Sequence, residues 1–199
     1  LANKKEFRPK QEAIDSADKI IAISNVTKNN LINIYNVSPD KISVCYFGCE
    51  HMNVQNTFVE NPIEKLSVPY LLYVGSRIKY KNFDFFLNSF SKSKKLMSDF
   101  NVVLFGGEEI LGEEKKKFEN LNFKKNQIVH IKGNDIILKN LYKNAKAHIF
   151  PSLYEGFGLP LIESMYIGCP IICSNIKPFL EIAYKSAEFF DPKNEENLL

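Results

Sequence analysis

The sequence predicts an α/β fold, a doubly wound parallel sheet covered by helices on both faces. After residue 69, short apolar runs alternate regularly with helical segments, and each run is continuously apolar, as in a strand buried on both faces. A length of 199 residues with 45% hydrophobic and 25% charged content suits a soluble globular chain with a sizeable core.

The first elements in order are a strand over 19–23, a helix opened by Ser24 as N-cap and running to 35, and a second strand over 41–45. They are too few to make a domain. Residues 47–68 are polar, rich in Asn and without helical or strand period, and read as a linker. Six strands follow, over 70–74, 101–105, 127–131, 147–150, 170–173 and 187–190, separated by helices over 83–97, 108–121, 135–145, 160–167 and 178–184. Right-handed crossovers make this a doubly wound sheet whose ligand site lies beyond the carboxyl ends of the strands. The expected functional loops begin at Gly75, Gly106, Lys132, Pro151 and Ser174.

A net charge of +3 and a pI near 8.5 lack the clustered basicity of a nucleic-acid binder. Small groups such as Lys115–Lys117 and Lys124–Lys125 read as solvated helix faces, with contact to an anionic membrane surface as the alternative. No apolar run approaches the ~20 residues of a membrane-spanning helix. Leu1 stands where a Met would open a chain, and a fragment is expected. Cys45 with Cys49 and Cys169 with Cys173 repeat one spacing, but each pair lies in or beside a strand, where the sulfurs would be roughly 13 Å apart. Buried free thiols are expected rather than a zinc site.

Two loops carry the chemistry. Gly75-Ser76-Arg77-Ile78-Lys79-Tyr80-Lys81-Asn82 leaves a strand through glycine and brings Arg77 and Lys81 to the start of a helix, an arrangement suited to an anion. Pro151-Ser152-Leu153-Tyr154-Glu155-Gly156-Phe157-Gly158-Leu159-Pro160-Leu161-Ile162-Glu163 is more specific. Its glycines permit close backbone approach, Pro160 suits a first helical turn, and the amides of Phe157, Gly158 and Leu159 are expected to face a ligand. Glu155 and Glu163, the latter expected in the first turn of the helix, bracket the same mouth.

Glu155 and Glu163, with seven residues between them and Gly156-Phe157-Gly158-Leu159-Pro160 inside, resemble the paired-glutamate motif of retaining glycosyltransferases of family 4, which have the two-domain GT-B fold. Ser16 to Ser24, Lys41-Ile42-Ser43-Val44 leading to Gly48, Tyr73 to Arg77, Lys81-Asn82, Gly106-Gly107, Leu141-Tyr142 with Ala145, and Phe189 to Pro192 are similar to that family in the same order. The resemblance implies that 1–68 ends an acceptor domain and leads through the linker, while 69–199 is the Rossmann-like nucleotide-sugar domain, one half of a GT-B fold.

It further implies that Arg77 and Lys81 hold the donor diphosphate, Glu163 accepts ribose hydroxyls and Glu155 contacts the transferred sugar, giving Arg77, Lys81 and Glu155 the catalytic roles. Gly75, Gly156, Phe157, Gly158 and Leu159 would complete the donor site, and Lys132-Gly133 would face the base. No metal and no cofactor is expected. The implied partners are a nucleotide-sugar donor, with a mannose-type donor as first guess, and a glycan or lipid-linked acceptor held by the domain this chain lacks. No nucleic acid is implied. The enzyme would be cytoplasmic, with peripheral contact at the inner membrane face left open, and this piece alone would bind donor weakly and transfer nothing. Three alternatives stand beside this reading: a GT-B epimerase, a glycan phosphorylase and a catalytically silent binding module. His51, His130 and His148 fall outside these motifs and are expected to be structural.

Overall fold

The computed structural model describes residues 4–54 and 69–198. Most of the expected linker, residues 55–68, lies outside the described residues. The chain forms two compact units, one up to Gly48 and the other from Cys49.

In the first unit, α1 (Lys4–Ser16), β1 (Ile20–Ala22), α2 (Asn25–Tyr35) and β2 (Ile42–Val44) surround a small core of Ala22, Val37 and Ile42. The strands pair in parallel, Ile20 opposite Ile42. Ser24 is the expected N-cap: its backbone is extended and its Oγ accepts from the Thr27 amide at 3.0 Å. Asn36, left-handed at φ 55°, ends α2. Helix α1 is not among the expected elements: its residues are mostly polar and enclose Pro9, and Ile14 packs against the core. Lys41 stabilises its end by donating to the Ile14 carbonyl at 2.9 Å.

The second unit holds β3 (Tyr70–Val74), α3 (Phe83–Lys92), α4 (Lys94–Asp99), β4 (Asn101–Phe105), α5 (Gly112–Asn120), β5 (Ile128–Ile131), α6 (Asp135–Asn144), β6 (Ala147–Phe150), α7 (Leu159–Ile167), β7 (Ile171–Ser174), α8 (Lys177–Ala183) and β8 (Glu188–Phe190). The strands form one parallel sheet in the order β5-β4-β3-β6-β7-β8. All five residues of β3 and of β4 are buried, as continuous apolar runs require. Alternation sends Tyr70, Leu72 and Val74 to one face, against Leu138, Leu141 and Tyr142 of α6, and Leu71 and Tyr73 to the other, against Phe83, Phe86 and Phe90 of α3.

Two helices differ from expectation. The segment expected as one helix over 83–97 breaks at Ser93, whose backbone is extended (φ −93°, ψ 109°) and whose Oγ caps α4 by accepting from the Leu96 amide at 3.3 Å. The helix expected from 108 begins only at Gly112, because residues 108 and 109 give their carbonyls to Arg77 instead. The thiols also divide: Cys169 and Cys173 are buried, which pushes them up to about 11 and about 12 respectively, whereas Cys45 is exposed beyond the end of β2 and Cys49 is half-buried.

Residues 49–54 pack into the second unit. A single turn of 3-10 helix, Glu50–Met52, places the fully buried Met52 against Tyr70, Leu141 and Tyr142, and Lys139 Nζ donates to the Val54 carbonyl at 2.7 Å.

Candidate active site

The chain order reverses between β3 and β6: β4 and β5 lie to one side of β3, and β6, β7 and β8 continue on the other. Such a switch point opens a crevice at the carboxyl ends of the two strands. The two loops singled out in the sequence leave those ends and are joined there, the Leu153 amide donating to the Tyr80 carbonyl at 2.8 Å.

Gly75, at φ 119°, turns the chain out of β3. Arg77 then folds back until its side chain is only 7% exposed. Its Nε donates to Glu114 Oε1 at 2.7 Å, and Nη2 donates to Glu114 Oε2 at 3.1 Å and to the Glu108 carbonyl at 2.6 Å. Nη1 is buried without a hydrogen-bond partner. Gly107, itself at φ 70°, makes room for this arrangement, because a Cβ there would come within 3.0 Å of the Gly75 carbonyl and 3.2 Å of Nη1. The hydrogen bond from Arg77 holds the Glu114 carboxyl below its usual range.

Lys81 closes a 3-10 turn, Lys79–Lys81, and its Nζ pairs with Glu155 Oε1 at 2.6 Å, both side chains being about six-sevenths buried (15% and 13% exposed). Ser152 Oγ donates to the same oxygen at 2.9 Å, and the ammonium lies 5.4 Å from the centre of the Phe150 ring. Burial pushes the Tyr73 phenol up, Arg77 draws it down and Glu155 pushes it up again, so both charges act on one spot at the end of β3.

Gly158, at φ 100°, precedes α7, with Pro160 in its first turn as expected. Glu163 falls in the second turn of α7, not the first, because the helix begins at Leu159. It is buried, with Oε1 2.9 Å from His51 Nε2 and Oε2 accepting from Tyr142 Oη at 3.0 Å. Lys132 is set apart from this group: exposed beyond β5, it pairs with Glu109 at 2.7 Å and lowers that carboxyl by hydrogen bonding.

Sequence reasoning missed three partners of this site: His51, Glu114 and Tyr142 as a side-chain donor. His51 lies 112 positions from Glu163, so no local spacing could disclose the pair. Of the other histidines, His148 is fully buried in β6 and His130 contacts the Gly106 carbonyl at 2.8 Å. Among the described residues, no three His, Cys, Asp or Glu side chains cluster as metal ligands would, and no helix is long and apolar enough to cross a membrane.

A family model described as glycosyl transferases group 1 matches residues 55–199. The chain belongs to this family. Among relatives of this group 1 glycosyltransferase chain, the O-antigen chain mannosyltransferase RfbU of Salmonella typhimurium is 30% identical over 182 residues, which cover 89% of this chain and 48% of that protein. The O-antigen chain mannosyltransferase B of Escherichia coli is 25% identical over 197 residues, covering 92% and 50%. The chain thus spans about half the length of the curated relatives it matches. A glycosyltransferase from Rickettsia africae superimposes with a TM-score of 0.76 at 26% identity, covering 94% of this chain and 54% of that one. Anabaena Alr3699/HepE, solved with UDP and glucose, superimposes with a TM-score of 0.80 at 16% identity, covering 98% and 56%, a likeness of fold. The α/β sheet is accordingly that of GT-B glycosyltransferases.

Proposed function

We propose that the protein moves a sugar, with mannose as first candidate, from a nucleotide-sugar donor to a glycan or lipid-linked acceptor in surface-polysaccharide synthesis, by the retaining chemistry of family 4. The observation that carries the reading is Arg77, a buried guanidinium at the switch point with one nitrogen still lacking a partner. A buried donor of that kind suits an anion, and a diphosphate is the anionic part of a sugar nucleotide. The relatives named as mannosyltransferases support the choice of sugar.

On this reading residues 69–199 form the donor domain and 1–68 close the acceptor domain and lead out of it. Arg77, Lys81 and the amides of Phe157, Gly158 and Leu159 take up the diphosphate. Glu155, held by Lys81 and Ser152, meets the transferred sugar, and Glu163 accepts the ribose hydroxyls. Lys132 lines the base side with Glu109. When the bond from the anomeric carbon to phosphate oxygen breaks, its electron pair passes to the phosphate, and charge grows where Arg77 and Lys81 stand. The acceptor hydroxyl then bonds to the anomeric carbon on the face just vacated and yields its proton to the departing phosphate. Diphosphate charge is met by these fixed cations rather than by a metal. The enzyme would work on the cytoplasmic side, with the lysine-rimmed groove between α5 and β5 as its contact to anionic membrane; Lys115, Lys124 and Lys125 edge a cavity of about 520 Å³ floored by Phe118, Phe123 and Ile128.

The test is a panel of GDP- and UDP-sugars incubated with the intact protein and lipid-linked acceptor. Consumption of GDP-mannose with an α-linked product is expected. Binding of a nucleotide sugar with no turnover against any acceptor would favour a silent binding module instead.

A further inference from the structure

We infer that His51 is a positioning residue of the donor site, fixing the Glu163 carboxylate so that it can receive a vicinal diol. The inference rests on the proposed role of Glu163 toward ribose. A carboxylate only accepts, so the 2.9 Å contact with Glu163 Oε1 requires His51 Nε2 to carry the proton and donate. Tyr142 donates to the other oxygen at 3.0 Å, and burial, then the charge of Glu163, hold its phenol well above the ordinary value, so it stays a donor. One donor thus sits on each oxygen. Of the roughly four acceptor directions of a carboxylate, one per oxygen is left, which matches the two adjacent hydroxyls of a ribose.

The anchoring of His51 supports positioning over an adventitious surface contact. Its neighbour Met52 is fully buried against Tyr142, the same residue that holds the second oxygen, and the Val54 carbonyl is tied to Lys139 of α6. His51 and Tyr142 therefore share one rigid support. The His51 side chain nevertheless stays 40% exposed while that of Glu163 is 11% exposed, so the imidazole stands on the open side of the carboxylate.

The test is calorimetric titration of the intact protein with GDP and UDP and with the 2′-deoxy and 3′-deoxy forms of each. For the nucleotide that binds, loss of either hydroxyl is expected to weaken the parent protein roughly tenfold, the scale of one charge-assisted hydrogen bond. His51→Ala is expected to weaken the ribonucleotide about tenfold and the deoxy forms clearly less, with an unchanged melting temperature. His51→Gln, whose amide can donate in the same place, should recover most of the loss. Parent-like affinity in His51→Ala, or equal weakening of ribo and deoxy forms, would overturn the role of His51 while leaving Glu163 in place. If neither the hydroxyls nor Glu163→Ala mattered, the ribose reading of Glu163 would fall first and the role of His51 with it.

Discussion

Arg77 and Lys81 each sit on a carboxylate, Arg77 on Glu114 and Lys81 on Glu155, which fixes the two cations before any ligand arrives. Preorganised charge of this kind acts most where charge grows during bond breaking. Arg77→Ala and Lys81→Ala should each lower turnover at saturating donor by at least ~100-fold, with a smaller loss of donor affinity. Steady-state rates should show the double variant less damaged than the product of the singles, since both would serve one diphosphate. Gly158 is a different case, set by space and backbone. At φ 100°, a Cβ there would lie 2.7 Å from Phe179 Cε1, a contact that cannot persist. Gly158→Ala should therefore cost roughly 2 kcal/mol and lower the melting temperature by several degrees. At this scale the two loops were legible because their residues are contiguous, whereas Glu114 and His51 reach the site from other elements and no spacing reveals them.

Strand β6 carries a proton-linked feature of the fold. His148 is fully buried between Tyr142 and Phe150; Ser164 Oγ donates to the Pro160 carbonyl at 2.6 Å, so it accepts from His148 Nδ1, and Nε2 has no partner to share a proton with. Burial draws the imidazole down from 6.5 to about 3. The unfolded chain therefore binds a proton that the folded chain refuses, and stability present above about pH 6.5 is lost as pH falls toward 3. Denaturation of His148→Phe should lose up to ~1.4 kcal/mol less per pH unit across that window than the parent. Identical acid slopes would place the linkage elsewhere. Among elements, the six strands were legible as short, mainly apolar runs, although β8 opens on the exposed Glu188. Helix ends were not: the break at Ser93 depends on a side-chain cap, the late start of α5 depends on Arg77 taking the carbonyls before it, and α1 is so polar that Ile14 alone of its described side chains reaches the apolar core.

For the whole molecule, alternation of strand and helix predicted a parallel sheet, but the place where strand order reverses follows only from which strands pair, and that is a matter of contacts far apart in sequence. The reversal between β3 and β6 is what brings Lys81 to Glu155, 74 positions away. The basic groove beside edge strand β5 gives a further expectation at this scale. Combined Lys115→Glu, Lys124→Glu and Lys125→Glu changes should abolish sedimentation with phosphatidylglycerol vesicles and leave nucleotide affinity intact. Equal sedimentation would assign membrane contact to another surface. Whether the crevice between β3 and β6 takes a sugar nucleotide is tested most directly by titrating GDP-mannose and UDP-sugars into the intact protein and its Glu163→Ala variant by calorimetry. One donor is expected to bind the parent, with a loss of tenfold or more in the variant, the measure of a carboxylate accepting ribose hydroxyls. Equal affinity of parent and variant would contradict that expectation.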